Sequence, residues 1–204
     1  VAVVFATVTY AQTGKGNWMV GADLGLSFQS KNVVEKDDQV QYMDQTITTF
    51  KITPNFNYFV VNNLAVGLGV GYEHSRDKRA NSSWDTETNT LIIAPNVHYY
   101  FPTGGSLAPF VGAKGAKLPP VGSLAPFVGA KIGFASRENQ PGANGEWNGL
   151  VVGGKAGLAY FVNRGAALTA YAEYDHFSLK NTDNSKRKAK EGVLGVGIGV
   201  ALFF

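Results

Sequence analysis

The stretch "GVLGVGIGVALFF", residues 192–204, decides how the rest of the chain is read. Every second position gives Leu194, Val196, Ile198, Val200, Leu202 and Phe204. The positions between them give Val193, Gly195, Gly197, Gly199, Ala201 and Phe203. One face is bulky and apolar, the other mostly small. A period of two is the mark of a β-strand, since successive side chains point to opposite faces.

The same split recurs upstream. Residues 18–28 set Trp18, Val20, Leu24, Leu26 and Phe28 against Met19, Gly21, Asp23, Gly25 and Ser27. Residues 50–60 set Phe50, Ile52, Phe56 and Tyr58 against Lys51, Thr53, Asn55, Asn57 and Phe59. Residues 64–74 and 91–101 follow the same rule, with Glu73 and His98 on their sparse faces. Residues 150–162 carry Lys155 on the sparse face, and 167–179 carry Thr169, Tyr171, Glu173 and Asp175 there. One further strand is expected from a duplicated segment. SLAPFVGAK occurs at 106–114 and again at 123–131. The second copy, which carries Lys131 and runs on into Ile132-Gly133-Phe134, is expected to be the strand. The first, followed by Pro119 and Pro120, is expected to form an inserted loop at about 105–122, because proline cannot donate to a ladder. The total is eight strands.

The connections alternate as well. Asn62-Asn63, 102–106 and Asn163-Arg164-Gly165 are short, and Asn and Gly tolerate the positive φ of tight hairpins. The stretches 29–46, 75–89, 135–148 and 180–191 are longer and polar. The expected fold is therefore all-β, an eight-stranded antiparallel up-and-down barrel with short turns at one rim and long loops at the other.

Two observations set the bulky face outward, against lipid. An eight-stranded barrel has an interior only wide enough for side chains to fill it, and five or six large residues per strand would overfill it. A soluble exterior built of Gly and Ala would be weak, since glycine destabilises exposed strands. Strands of 10–13 residues match the ~9–11 needed for a tilted crossing. Aromatics cluster near both ends of the outward face, as expected of the two interfacial girdles. The sparse face then places Asp23, Lys51, Glu73, Lys131, Lys155, Glu173 and Asp175 in the lumen. Isolated charges there would be costly, so they are expected to pair and plug it, with Lys155–Glu173 on successive strands as the leading pair.

The composition agrees. Only 16% of the 204 residues are charged and 25 are glycine, against about 25% charged in ordinary soluble domains. No apolar run reaches the ~18 residues of a spanning helix. Cysteine is absent and the net charge is +3, so disulfides and thiolate metal sites are excluded. No basic aromatic stripe points to nucleic acid, and no spaced His/Asp cluster points to a metal. No cofactor is expected. Residues 1–11, VAVVFATVTYA, read as the end of a secretory signal peptide cut before Gln12, with an extra apolar strand as the alternative.

"FKITPNFNYFVVNNLAVGLGVGYEHS" (50–75) and "GVGIGVALFF" (195–204) resemble the small outer-membrane β-barrels of Gram-negative bacteria, of the outer membrane protein A and X type. The resemblance covers residues 12–204. It implies residence in the cell outer membrane, with the termini in the periplasm and the long loops outside; a monomer is expected. It also implies that Gly199, Leu202 and Phe204 form the signal read by the barrel-assembly machinery, although Gly197 stands where a polar residue is more usual. The function it implies is structural, adhesive or surface-interactive, through the long loops and toward an unspecified ligand. A small channel for ions or solutes is the alternative.

Two further groups carry chemistry. His176 and Ser178 share one face near the long-loop rim, and Glu191 opens the next strand. Together they are the minimum for a nucleophile, its base and an orienting carboxylate. They weakly resemble the outer-membrane lipid A deacylases, where Asn-Ala follows the serine; here Leu179-Lys180 follow. The simpler expectation is an interfacial histidine and a strand-end serine, and the protein is read as no enzyme. The loop "KNTDNSKRKAKEG" (180–192) gathers Lys186, Arg187, Lys188 and Lys190, candidates for contact with lipopolysaccharide phosphates. A solvated loop is the alternative.

Overall fold

The computed structural model describes residues 13–30, 46–78, 86–102, 122, 124–140, 146–182 and 188–204. These form eight strands: β1 (Trp18–Ser30), β2 (Thr46–Val61), β3 (Leu64–Lys78), β4 (Thr86–Tyr100), β5 (Leu124–Gln140), β6 (Glu146–Asn163), β7 (Ala166–Asn181) and β8 (Lys188–Phe203). Each pairs antiparallel with the next, and β8 pairs with β1 to close the barrel. Closure matters energetically. It leaves no sheet edge, so the ladder itself satisfies the backbone polar groups that water could not reach in a hydrocarbon layer.

The alternation in sequence becomes the alternation of the wall. Along β7, residues 167–181 run strictly buried, exposed, buried, with Leu168, Ala170, Ala172 and Tyr174 outward and Thr169, Tyr171, Glu173 and Asp175 inward. Ile198 is 64% exposed, the most of any large aliphatic side chain among the described residues, and Phe59 on the inward face is fully buried. The outward run from Leu194 in β8 to Phe204 just beyond it rises roughly 26 Å at ~3.4 Å per residue and a ~40° tilt, which matches the ~25 Å apolar band of such barrels. Trp18 and Tyr58 meet at 5.0 Å between ring centroids near the short-turn rim, as do Tyr99 and Phe101, also at 5.0 Å. Phe50, Tyr72, Phe134 and Tyr174 face outward toward the other rim.

The tight turns use the residues expected of them. Asn63 takes a positive φ of 69° between β2 and β3. Its N–H donates to the Thr13 carbonyl at 2.7 Å, and the Thr13 hydroxyl donates to its side-chain oxygen at 2.6 Å. Residues 13–17 are thereby tied across the short-turn end. Between β6 and β7 the Asn163 side chain accepts from the Gly165 N–H at 2.7 Å.

At the opposite rim the strands run further than the apolar pattern suggested. β3 continues to Lys78, β5 to Gln140 and β7 to Asn181, inside stretches expected to be loop. The outward positions there are Arg76, Glu138, Ser178 and Lys180, so the pleat continues after the greasy residues stop. The ladder is interrupted elsewhere. β2–β3 pairing skips Thr53 and Pro54, and β4–β5 pairing skips Ala94 and Pro95, in each case beside a proline that lacks an N–H. The second SLAPFVGAK copy opens β5, and the first lies outside the described residues, as does the segment 1–11.

Candidate functional site

The lumen is filled in layers, starting from the short-turn end. Met19, Phe59, Tyr100, Phe127, Phe161 and Phe203 all turn inward and form an aromatic floor. Tyr100 and Phe127 stack at 5.6 Å, Phe161 meets Phe203 at 5.5 Å, and the Tyr100 hydroxyl donates to the Met19 sulfur at 3.1 Å. Ring pairs at these separations add ~0.5–1.5 kcal/mol each beyond their burial.

Above the floor, Lys155 Nζ lies 2.6 Å from Asp23 Oδ2 and over the Tyr171 ring at 5.1 Å. The next layer is a five-membered ionic network. Lys51 Nζ is 2.9 Å from Glu173 Oε1, 2.9 Å from Asp175 Oδ2 and 3.4 Å from Glu73 Oε1. Lys131 Nζ is 2.7 Å from the same Asp175 oxygen and 3.7 Å from Glu173 Oε2. Lys51, Glu73 and Asp175 are each at least 95% buried. Such charges persist only when each has a partner at hydrogen-bonding distance, and four strands supply them.

The glycines of the inward face make this possible. A Cβ at Gly153 would overlap the Asp175 carboxylate, and one at Gly197 would overlap the Tyr171 ring and stand 2.6 Å from the Leu24 carbonyl oxygen. Gly197 is therefore the space that Tyr171 occupies. That accounts for the glycine found where the resemblance leads one to expect a polar residue.

Toward the long-loop rim, Ile92, Val151, Phe177, Leu179 and Val193 pack together inside the barrel. There Arg137 pairs with Glu191 at 2.5 Å, donates to the Thr90 hydroxyl at 3.1 Å and stacks over Phe177 at 5.4 Å. Between these closures lies a cavity of about 40 Å³ beside Asp23, Lys51, Asn96, His98, Lys131 and Lys155. At ~10–15 Å³ per molecule it has room for about three waters.

All seven charged residues expected in the lumen are inside the barrel, but not all are paired as expected. Lys155 and Glu173 are opposite each other in the β6–β7 register, yet Lys155 reaches across to Asp23 and Glu173 turns to Lys51. In so narrow a lumen a long side chain spans to a distant strand as easily as to its neighbour. The Arg137–Glu191 pair and the aromatic floor were not anticipated. Their signal was present: Met19, Phe59, Tyr100 and Phe203 each occupy the sparse-face position nearest the short-turn rim.

The Ser178–His176–Glu191 set is split. His176 and Ser178 face outward, whereas Glu191 points into the lumen opposite Phe177. A carboxylate on the other side of the wall cannot orient the imidazole. Of the C-terminal residues, Leu202 and Phe204 face outward and Gly199 lines the lumen beside Asp23 and Thr169. Lys188 and Lys190 are exposed on the outward face of β8. Lys186 and Arg187 lie outside the described residues. Among the described residues no group of His, Asp and Glu is placed to hold a metal ion.

No protein-family model matches the sequence, and no curated protein matches it. Solved structures do. Neisserial surface protein A is 17% identical, with a TM-score of 0.62, covering 92% of this chain and 99% of that one. The outer membrane protein OprG of Pseudomonas aeruginosa is 13% identical, with a TM-score of 0.58, covering 96% and 99%. The outer membrane protein AlkL, solved in lipid bilayers, is 16% identical, with a TM-score of 0.52, covering 100% and 97%. The chain thus carries the fold of the eight-stranded barrels of the bacterial outer membrane.

Proposed function

We propose that this protein is an integral outer-membrane barrel whose work is done at its rim and in its long loops: a structural, adhesive or surface-interacting protein, with no catalytic role and no open pore. The observation that carries this is the filled lumen. From the aromatic floor through the Lys51 network to Arg137–Glu191, the inward side chains among the described residues pack against one another, with cavities of about 40 and 10 Å³ between them. Spaces of that size argue against passage of a solute larger than water. The split of Ser178 from Glu191 supports the non-enzymatic part of the reading. A closed ladder with no free edge supports a monomer.

The test is conductance. Purified, refolded protein inserted into planar bilayers at neutral pH should give no sustained current above the bare membrane. A stable open current would overturn the plugged-barrel reading in favour of a channel.

A further inference from the structure

The outward face of the β7–β8 hairpin changes character abruptly near the long-loop rim. Up to one level it is apolar: Leu168 opposite Val200, Ala170 opposite Ile198, Ala172 opposite Val196, Tyr174 opposite Leu194. The next pairs are His176 opposite Gly192, Ser178 opposite Lys190 and Lys180 opposite Lys188. His176, Ser178, Lys180, Lys188 and Lys190 are all exposed. None of the three ammonium groups has an ion-pair partner among the described residues.

This arrangement is unfavourable for the protein alone. Like charges directly opposite on one face of an antiparallel pair repel, and Lys180 and Lys188 are such a pair with Lys190 two residues away. The adjoining β5–β6 rim carries the opposite sign, with exposed Glu138 opposite exposed Glu146. Among the described residues the basic cluster of β7–β8 therefore does not extend onto β5–β6. Beneath it, the Tyr174 ring is swung across bare Gly192, its hydroxyl 2.6 Å from where a Cβ on that glycine would stand. That brings a phenol to the level of His176. Hydroxyl, imidazole, hydroxyl and three ammonium groups then follow one another up the hairpin, beyond apolar Leu194 and Val196 of β8 and flanked on β6 by exposed Leu150, opposite Ser178, and Val152, opposite His176.

We propose that this face binds the phosphate group of a phosphorylated glycolipid of the outer leaflet. Its acyl chains would lie on the apolar wall and its phosphate among Lys180, Lys188 and Lys190, with His176, Ser178 and Tyr174 as hydrogen-bonding partners. A lipid is the occupant, not a free anion, because the cluster sits at the upper end of the lipid-facing surface and faces sideways into the membrane plane. The inference rests on the outer-membrane reading above. It also gives His176 and Ser178 a use that requires no carboxylate at their side.

The test uses the full-length refolded protein in detergent and three probes: bisphosphorylated lipid A, the same lipid with its phosphates removed, and inorganic phosphate. A lysine near an anionic lipid surface is worth about fivefold in affinity, so three are worth about a hundredfold. The bisphosphorylated lipid should bind about a hundredfold more tightly than the dephosphorylated one. The K180Q/K188Q/K190Q variant should lose that advantage and keep its affinity for the dephosphorylated lipid. The K180R/K188R/K190R variant should retain binding within a fewfold. Equal binding of the two lipids, or a glutamine variant indistinguishable from the parent, overturns the site. Inorganic phosphate binding as tightly as the lipid overturns the lipid assignment. The barrel reading is followed separately, by the heat-modifiable gel migration of the parent protein, which neither probe nor substitution should alter.

Discussion

Replacing Lys51 with methionine is the sharpest perturbation of the lumen. Methionine keeps most of the volume and removes the charge that three carboxylates share, at 2.9, 2.9 and 3.4 Å. Lys131 still holds Asp175 at 2.7 Å, but it stands 3.7 Å from Glu173, and Glu73 loses its nearest cation. Removing one member of a buried ion pair costs ~3–5 kcal/mol, chiefly because the partner charge stays buried without compensation. With a urea slope of ~2–3 kcal/mol/M, the unfolding midpoint of the vesicle-inserted protein should fall by about 1–2 M. Adding Glu73→Gln and Glu173→Gln to Lys51→Met removes the stranded charges and should restore more than half of the loss. A Lys51→Met variant within about 1 kcal/mol of the parent, or a triple variant no more stable than the single one, would refute the argument that the network holds the strands together.

Three other outcomes follow from the same structure. Ile198→Arg puts a charge near the middle of the outward apolar run of β8, and should cost ~2–4 kcal/mol in vesicle unfolding titrations; on a soluble barrel exterior the same change would be nearly neutral. Gly197→Val drives a side chain into the Tyr171 ring and should cost ~1–3 kcal/mol as an overpacked site, visible as a lower urea midpoint. Phe203→Ala removes a ring that contacts Phe59, Tyr100 and Phe161 in the floor. It should cost ~3–5 kcal/mol and, by loosening the short-turn closure, raise the ion leak in planar bilayers above that of the parent.

The wall was legible in the sequence because it depends on a local property. Residues such as Leu194, Val196 and Ile198 declare their face by parity alone, and closure follows from eight such segments joined by alternating turns. The lumen was legible only in part. Parity identifies Lys155, Glu173 and Asp23 as inward, but which pair forms depends on how far a lysine reaches across the interior, and Lys51 meets Glu173 at a separation of 122 residues. The strand ends were misjudged because apolar residues stop at the edge of the lipid while hydrogen bonding does not; Lys180 and Lys188 are still paired across the ladder. Glu191 illustrates the same limit. Its place after a polar stretch suggested a partner for His176, whereas its parity sends it to Arg137.

The claim on which all of this depends is that the bulky face meets lipid and the sparse face does not. Nitroxide labels placed one at a time at Leu194, Val196, Ile198 and Val200, and at lumen-facing Val193 and Ala201, test it in reconstituted bilayers. The outward sites should be readily relaxed by oxygen and shielded from a water-soluble nickel chelate, with oxygen accessibility alternating along the strand with a period of two. Strong relaxation of the labels at Val196 and Ile198 by the nickel chelate would contradict it.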